Sequence, residues 1–121
     1  MDSVIEAVRG GIIVSCQAVP EDPTYGPAFM AAFARAAQRG GARGIRANGP
    51  EDVAAIKAAT GLPTIGIWKR PGADGKGIII TPSVEDALAL REAGADLIAA
   101  DVDDRPRPGG LSAPALIRRI V

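Results

Sequence analysis

Lys69, Gln17, Arg46 and Asp101 each fall within or just after a short apolar run. Lys69 closes PTIGIWK, Gln17 follows GIIVSC, Arg46 lies inside GIRAN, and Asp101 closes ADLIAAD. A lysine amine can move a proton or form a Schiff base. Arginine and glutamine donors can hold a carbonyl or a developing enolate oxygen. An aspartate can orient hydroxyls or the lysine itself. The reaction these types serve most economically is proton abstraction next to a carbonyl, which leaves isomerase and aldolase both open.

What is missing narrows the chemistry further. The chain of 121 residues has no histidine, so histidine acid–base catalysis, Ser-His and Cys-His arrangements and most transition-metal sites are excluded. No glycine-rich dinucleotide loop is present, and no cofactor is expected. Asp101, Asp103 and Asp104 crowd one loop, and such a run is more simply a solvated turn than a divalent-metal site, so no metal is expected. Fourteen cations balance 14 anions, which gives no attraction to nucleic acid or to an acidic membrane. The lone Cys16 cannot form an internal disulfide and reads as a small core residue in a reducing compartment. MDSVIEAVRG has no signal-peptide core, and no apolar run approaches the ~20 residues that span a bilayer. A cytoplasmic protein is expected.

Each candidate also has a plain structural explanation. Lys69 and Arg70 could be strand-end cations leaving the core for water. Arg46, flanked by Ile45 and Ala47, needs a partner, and an ion pair with Asp101 would supply one. Gln17 could cap the first loop. Arg105 and Arg107, each beside a proline, read as an extended loop whose cations face water or an anion.

The elements that must position these residues repeat as strand and helix. Residues 11–16 form a buried strand, and Pro27 opens a helix with Phe29, Met30, Phe33 and Ala37 on one face. Gly40 and Gly41 end it. Strand 44–48 leads into a helix opened by Pro50, with Glu51 and Asp52 at its positive end, and Gly61 stops that helix. Strand 63–69 precedes a loop, PGADGKG, and a short run, IIIT. A helix capped by Thr81 or Ser83 stops at Gly94, strand 95–101 follows, and SAPALIRRIV begins a last helix. Parallel βαβ units with right-handed crossovers follow from this alternation. In such folds the carboxyl ends of the strands form the binding rim.

Four units fill residues 1–121 as a single partial domain, about half of the ~250 residues of a (β/α)₈ TIM barrel. Four parallel strands leave two unpaired edges. Two copies, or a separate carboxyl-terminal half-barrel chain, would close a barrel. A flavodoxin-like open sheet is the other arrangement.

SCQA (15–18), GIRANGPED (44–52), GLPTIGIWKR (61–70), ITPSVEDA (80–87) and GADLIAADVDDRPRP (94–108) together resemble the N-acylglucosamine-6-phosphate 2-epimerase family, also called N-acetylmannosamine-6-phosphate 2-epimerase. The resemblance runs from VIEAVRGG nearly to residue 110. It implies the amino-terminal half of a TIM barrel that interconverts N-acetylmannosamine 6-phosphate and N-acetylglucosamine 6-phosphate in sialic-acid catabolism without a cofactor. The family's catalytic lysine falls on Lys69, which would exchange the proton at the sugar C2. Gln17, Arg46 and Asp101 fall on substrate-contacting positions, and Arg105 is placed on the same rim. Pro71 stands where relatives commonly carry an acid, and Asp103 where a threonine is usual. The family's second catalytic group, a glutamate, and its phosphate site belong to the other half of the barrel. An isolated half is expected to have little or no activity. A non-catalytic sugar-phosphate-binding half barrel, or an inactive remnant, is the alternative.

Overall fold

The computed structural model describes residues 2–121. Its main sheet has four parallel strands: β1 (Ile13–Cys16), β2 (Gly44–Asn48), β3 (Thr64–Ile67) and β6 (Leu97–Ile98), in that spatial order. A separate antiparallel hairpin, β4 (Lys69–Pro71) with β5 (Ile78–Ile80), interrupts the third unit. The helices are α1 (Asp2–Val8), α2 (Pro27–Arg39), α3 (Pro50–Thr60), α4 (Val84–Glu92) and α5 (Ala113–Ile120). A 3-10 turn at Pro108–Gly110 precedes α5.

Register decides which residues face which way. Cys16, Ala47, Gly66 and Ile98 stand side by side across the sheet, and Ile45 pairs with Thr64 on the same face. That face is dry. Cys16, Ile45 and Ala47 pack with Met30 and Ala34 of α2, Val53 and Ile56 of α3, and Leu90 of α4. Burial among these apolar groups pushes the Cys16 thiol pKa up, as suits a core residue. At Gly66 an added Cβ would lie 2.9 Å from the Cβ of Ala95, so glycine is what lets α4 and its exit approach the sheet.

The opposite face carries the row Ser15, Arg46, Ile65 and Leu97, then Asn48 beside Ile67. On this face Arg46 and Ile65 are half-buried, and Ile67, at the carboxyl end, is fully buried. At its amino end, a Cβ added at Gly44 would lie 3.2 Å from Val8 Cγ1 of α1. Strands in sequential order with α2, α3 and α4 on one face are the barrel type of βα winding. A doubly wound sheet would reverse its strand order and carry helices on both faces.

Three expectations change. The stretch after Lys69 is a hairpin rather than a loop, because Lys69, Arg70 and Pro71 pair with Ile80, Ile79 and Ile78 around a tight turn. An added Cβ at Gly72, in that turn, would lie 2.6 Å from the carbonyl oxygen of Lys76. The last strand is short: only Leu97 and Ile98 pair in the sheet, and Asp101 turns to the hairpin, donating its N–H to the Ile80 carbonyl (2.9 Å). On α2, Met30 and Ala34 are buried, while Phe29 and Phe33 are half exposed (50% and 47%). Ser83, not Thr81, caps α4, accepting from the Asp86 N–H.

Candidate active site

The carboxyl ends of β1, β2 and β3 carry Gln17, Asn48 and Lys69, and Arg46 lies two residues inside β2. Gln17 follows β1 and donates its amide N–H to Ser15 Oγ (2.6 Å), on the sheet face opposite α2, α3 and α4. Its Oε1 is buried and has no donor among the described residues. Arg46 is half-buried in the middle of β2. Ion pairs among the described residues involve Arg9, Lys57, Arg70, Arg105 and Arg107, and leave Arg46 and Lys69 out. The Arg46–Asp101 pair is therefore not formed.

Lys69 is exposed, and its backbone is held tightly. Its N–H donates to Asn48 Oδ1 (2.8 Å), which ties the end of β2 to the first hairpin residue. Asn48 closes GIRAN as a strand-end amide, and this bond engages its Oδ1. The next residue, Arg70, behaves differently. Its Nε and Nη2 form a two-pronged bond to Asp86 (3.0 and 2.9 Å), and its guanidinium stacks over Trp68, 3.7 Å from the ring centre. The Asp86 bonds raise the Arg70 pKa. Arg70 fastens the hairpin to α4 and is not a free cation.

Asp101 and Arg105 lie against the other strand of the hairpin. Asp101 Oδ2 accepts from the Ile80 N–H (2.8 Å) and from Arg105 Nη2 (3.0 Å). Arg105 also grips Asp103 through Nε and Nη2 (3.0 and 2.7 Å) and donates to the Ile78 carbonyl (2.7 Å). The Arg105 guanidinium and backbone N–H hold the Asp103 carboxyl below the usual carboxylate range. Asp103 is thus tied into an ion pair, although it remains partly exposed. Arg107 departs most from expectation. Its side chain is buried (1% exposed), and Nη2 donates to the Asp101 and Asp103 carbonyls at 2.9 Å each. It is the internal anchor of the loop, a role that the repeated Arg-Pro pairs do not announce.

A cleft of about 410 Å³ adjoins the rim, walled by Tyr25, Asn48, Asp52 and Trp68 among others. Burial, then the neighbouring Glu51, pushes the Asp52 carboxyl pKa up. No group of three or more His, Cys, Asp or Glu suited to a metal occurs among the described residues.

Sequential parallel strands with α2, α3 and α4 on one face define half of a (β/α)₈ barrel. A family model described as "Putative N-acetylmannosamine-6-phosphate epimerase" matches residues 30–121. A "Putative N-acetylmannosamine-6-phosphate 2-epimerase" of Caldanaerobacter subterraneus subsp. tengcongensis is 43% identical over 117 residues, covering 97% of this chain and 49% of the relative. The protein of the same name from Cutibacterium acnes is 42% identical over 119 residues, covering 98% and 51%. The solved N-acetylmannosamine-6-phosphate 2-epimerase of Clostridium perfringens superposes with a TM-score of 0.86 at 39% identity, over 96% of this chain and 50% of that one. The chain belongs to the N-acetylmannosamine-6-phosphate epimerase family and corresponds to its amino-terminal half. It spans about half the length of the curated relatives it matches.

Proposed function

We propose that this chain supplies the lysine-bearing half of an epimerase acting on N-acetylmannosamine 6-phosphate in the cytoplasm, as a single partial-barrel domain. Lys69 exchanges the proton at the sugar C2. Gln17 and Arg46 contact the sugar from the sheet face opposite α2, α3 and α4 and stabilise charge that develops on oxygen as the C2–H bond breaks. Asp101 and Arg105 complete the rim on the hairpin side, and their first task is to fix the hairpin. The observation that supports this reading is that Gln17 and Lys69 lie just past the carboxyl ends of β1 and β3, on either side of Arg46 in β2, with Arg46 and the Lys69 amine outside the ion pairs among the described residues, in a chain of this family.

Epimerisation removes a proton from one face of C2 and returns one to the other, so a second acid–base group is required. The open edges of β1 and β6 are where a complementary half would pair and bring it. The alternative partner is a second copy of the chain. The test is turnover of N-acetylmannosamine 6-phosphate by this chain alone, and by this chain mixed with the carboxyl-terminal half of the Caldanaerobacter relative. Turnover in the mixture, lost with Lys69→Ala, is the expected result. Enzyme-like turnover by the chain alone would instead favour a homodimeric barrel, and binding without turnover in either case would favour a sugar-phosphate-binding module.

A further inference from the structure

Thr81 stands out in the backbone. It is the one non-glycine residue with a positive φ among the described residues (48°), and it is fully buried. A β-branched side chain is poorly suited to that region, so its surroundings must hold it there. Its hydroxyl accepts from the Trp68 N–H (3.1 Å) and donates to the Ala99 carbonyl (2.7 Å). Its own N–H donates to the Trp68 carbonyl (2.8 Å). One residue therefore joins the exit of β3, the end of β5 and the segment after β6.

The position matters because of what lies beside it. Lys69 follows Trp68 directly, and Lys69 pairs in the hairpin with Ile80, the residue before Thr81. Both peptide groups of Trp68 that could shift are tied to Thr81, and the Lys69 N–H is tied to Asn48. We propose that Thr81 is a positioning residue for Lys69: its left-handed backbone and shared hydroxyl fix the point where β3 hands over to the hairpin, and so fix the root of the lysine side chain. The inference deepens the epimerase reading and rests on it for why the lysine needs fixing. Strained backbone held in place by its surroundings is common where a reactive group has to be pre-positioned.

Two variants test this without relying on a substitution that refuses to fold. Thr81→Gly keeps the positive φ at no steric cost and removes the hydroxyl, whereas Thr81→Ser keeps the hydroxyl. Amide hydrogen exchange in the full chain is followed at Trp68 and Lys69, with Ile45 in β2 as the reference for global opening. Thr81→Gly should speed exchange at Trp68 and Lys69 by about tenfold relative to Ile45, and Thr81→Ser should stay within about twofold of the parent. In the mixture with the complementary half, turnover should fall with Thr81→Gly and recover with Thr81→Ser. Unchanged local exchange in Thr81→Gly, or a serine variant that behaves like the glycine one, would overturn the proposal. Should Lys69→Ala leave turnover intact while the exchange pattern holds, the positioning role stands and the assignment of Lys69 as proton carrier fails.

Discussion

Lys69 and Arg70 are adjacent cations with opposite fates, and the difference is one of partners. Arg70 is fastened to Asp86 and Trp68, while Lys69 is fastened only through its backbone. Arg70→Ala should therefore cost about 1–2 kcal/mol of stability, since it strands a largely buried carboxylate on α4, whereas Lys69→Ala should leave the denaturation midpoint unchanged. Chemical denaturation of both variants checks this. Arg105 and Asp103 carry the pH dependence of the rim loop. Because the folded Asp103 pKa is depressed, its pairing stabilises the loop at pH values above the ordinary carboxylate value of about 3.9, and this contribution is lost as pH falls through the depressed folded value. Carboxyl resonances of Asp103 followed by NMR should titrate below that ordinary value in the parent and return towards it in Arg105→Gln. That Gln17 and Lys69 follow strands was readable because apolar runs mark the strands, and parallel strands end on one side of the sheet. The burial of Arg107 was not, because its acceptors are backbone carbonyls of a loop whose path no side-chain pattern records.

Short strands and helices set the rim, and glycine decides where they come close. Gly66→Ala would place a Cβ 2.9 Å from that of Ala95 and 3.3 Å from Leu90 Cδ2. Overpacking of this kind should cost about 1–3 kcal/mol, read as a lowered Tm with the far-UV spectrum retained. The strand–helix alternation was legible because apolar runs, Pro at helix starts and Gly at helix stops agree with one another. Gly61 indeed ends α3 in the left-handed conformation (φ 66°). The β4–β5 hairpin escaped notice for a physical reason. Its strands have three residues each, one of them proline, and its turn is rich in glycine, which is also the composition of a loop. Pairing of Ile78, Ile79 and Ile80 with KRP depends on anchors from outside, namely Thr81, Asp101 and Arg105. The aromatic residues of α2 misled in the opposite sense: helical spacing put Phe29 and Phe33 with Met30, yet the sheet takes Met30 and Ala34 instead.

At the scale of the molecule, the four-stranded sheet has one face packed by α2, α3 and α4 and another that is only partly buried. Ile65 and Leu97 are only partly buried there, and β1 and β6 each present an unpaired edge. Such edges favour association, so light scattering of the isolated chain should report a mass above the 12.3 kDa of one copy, and a mass equal to one copy would contradict this. The single measurement closest to the central claim is deuterium exchange from heavy water into C2 of N-acetylmannosamine 6-phosphate. This chain together with the complementary half should exchange that hydrogen, and should cease to do so with Lys69→Ala. Exchange that survives Lys69→Ala, or that is as fast without the complementary half, would contradict the account.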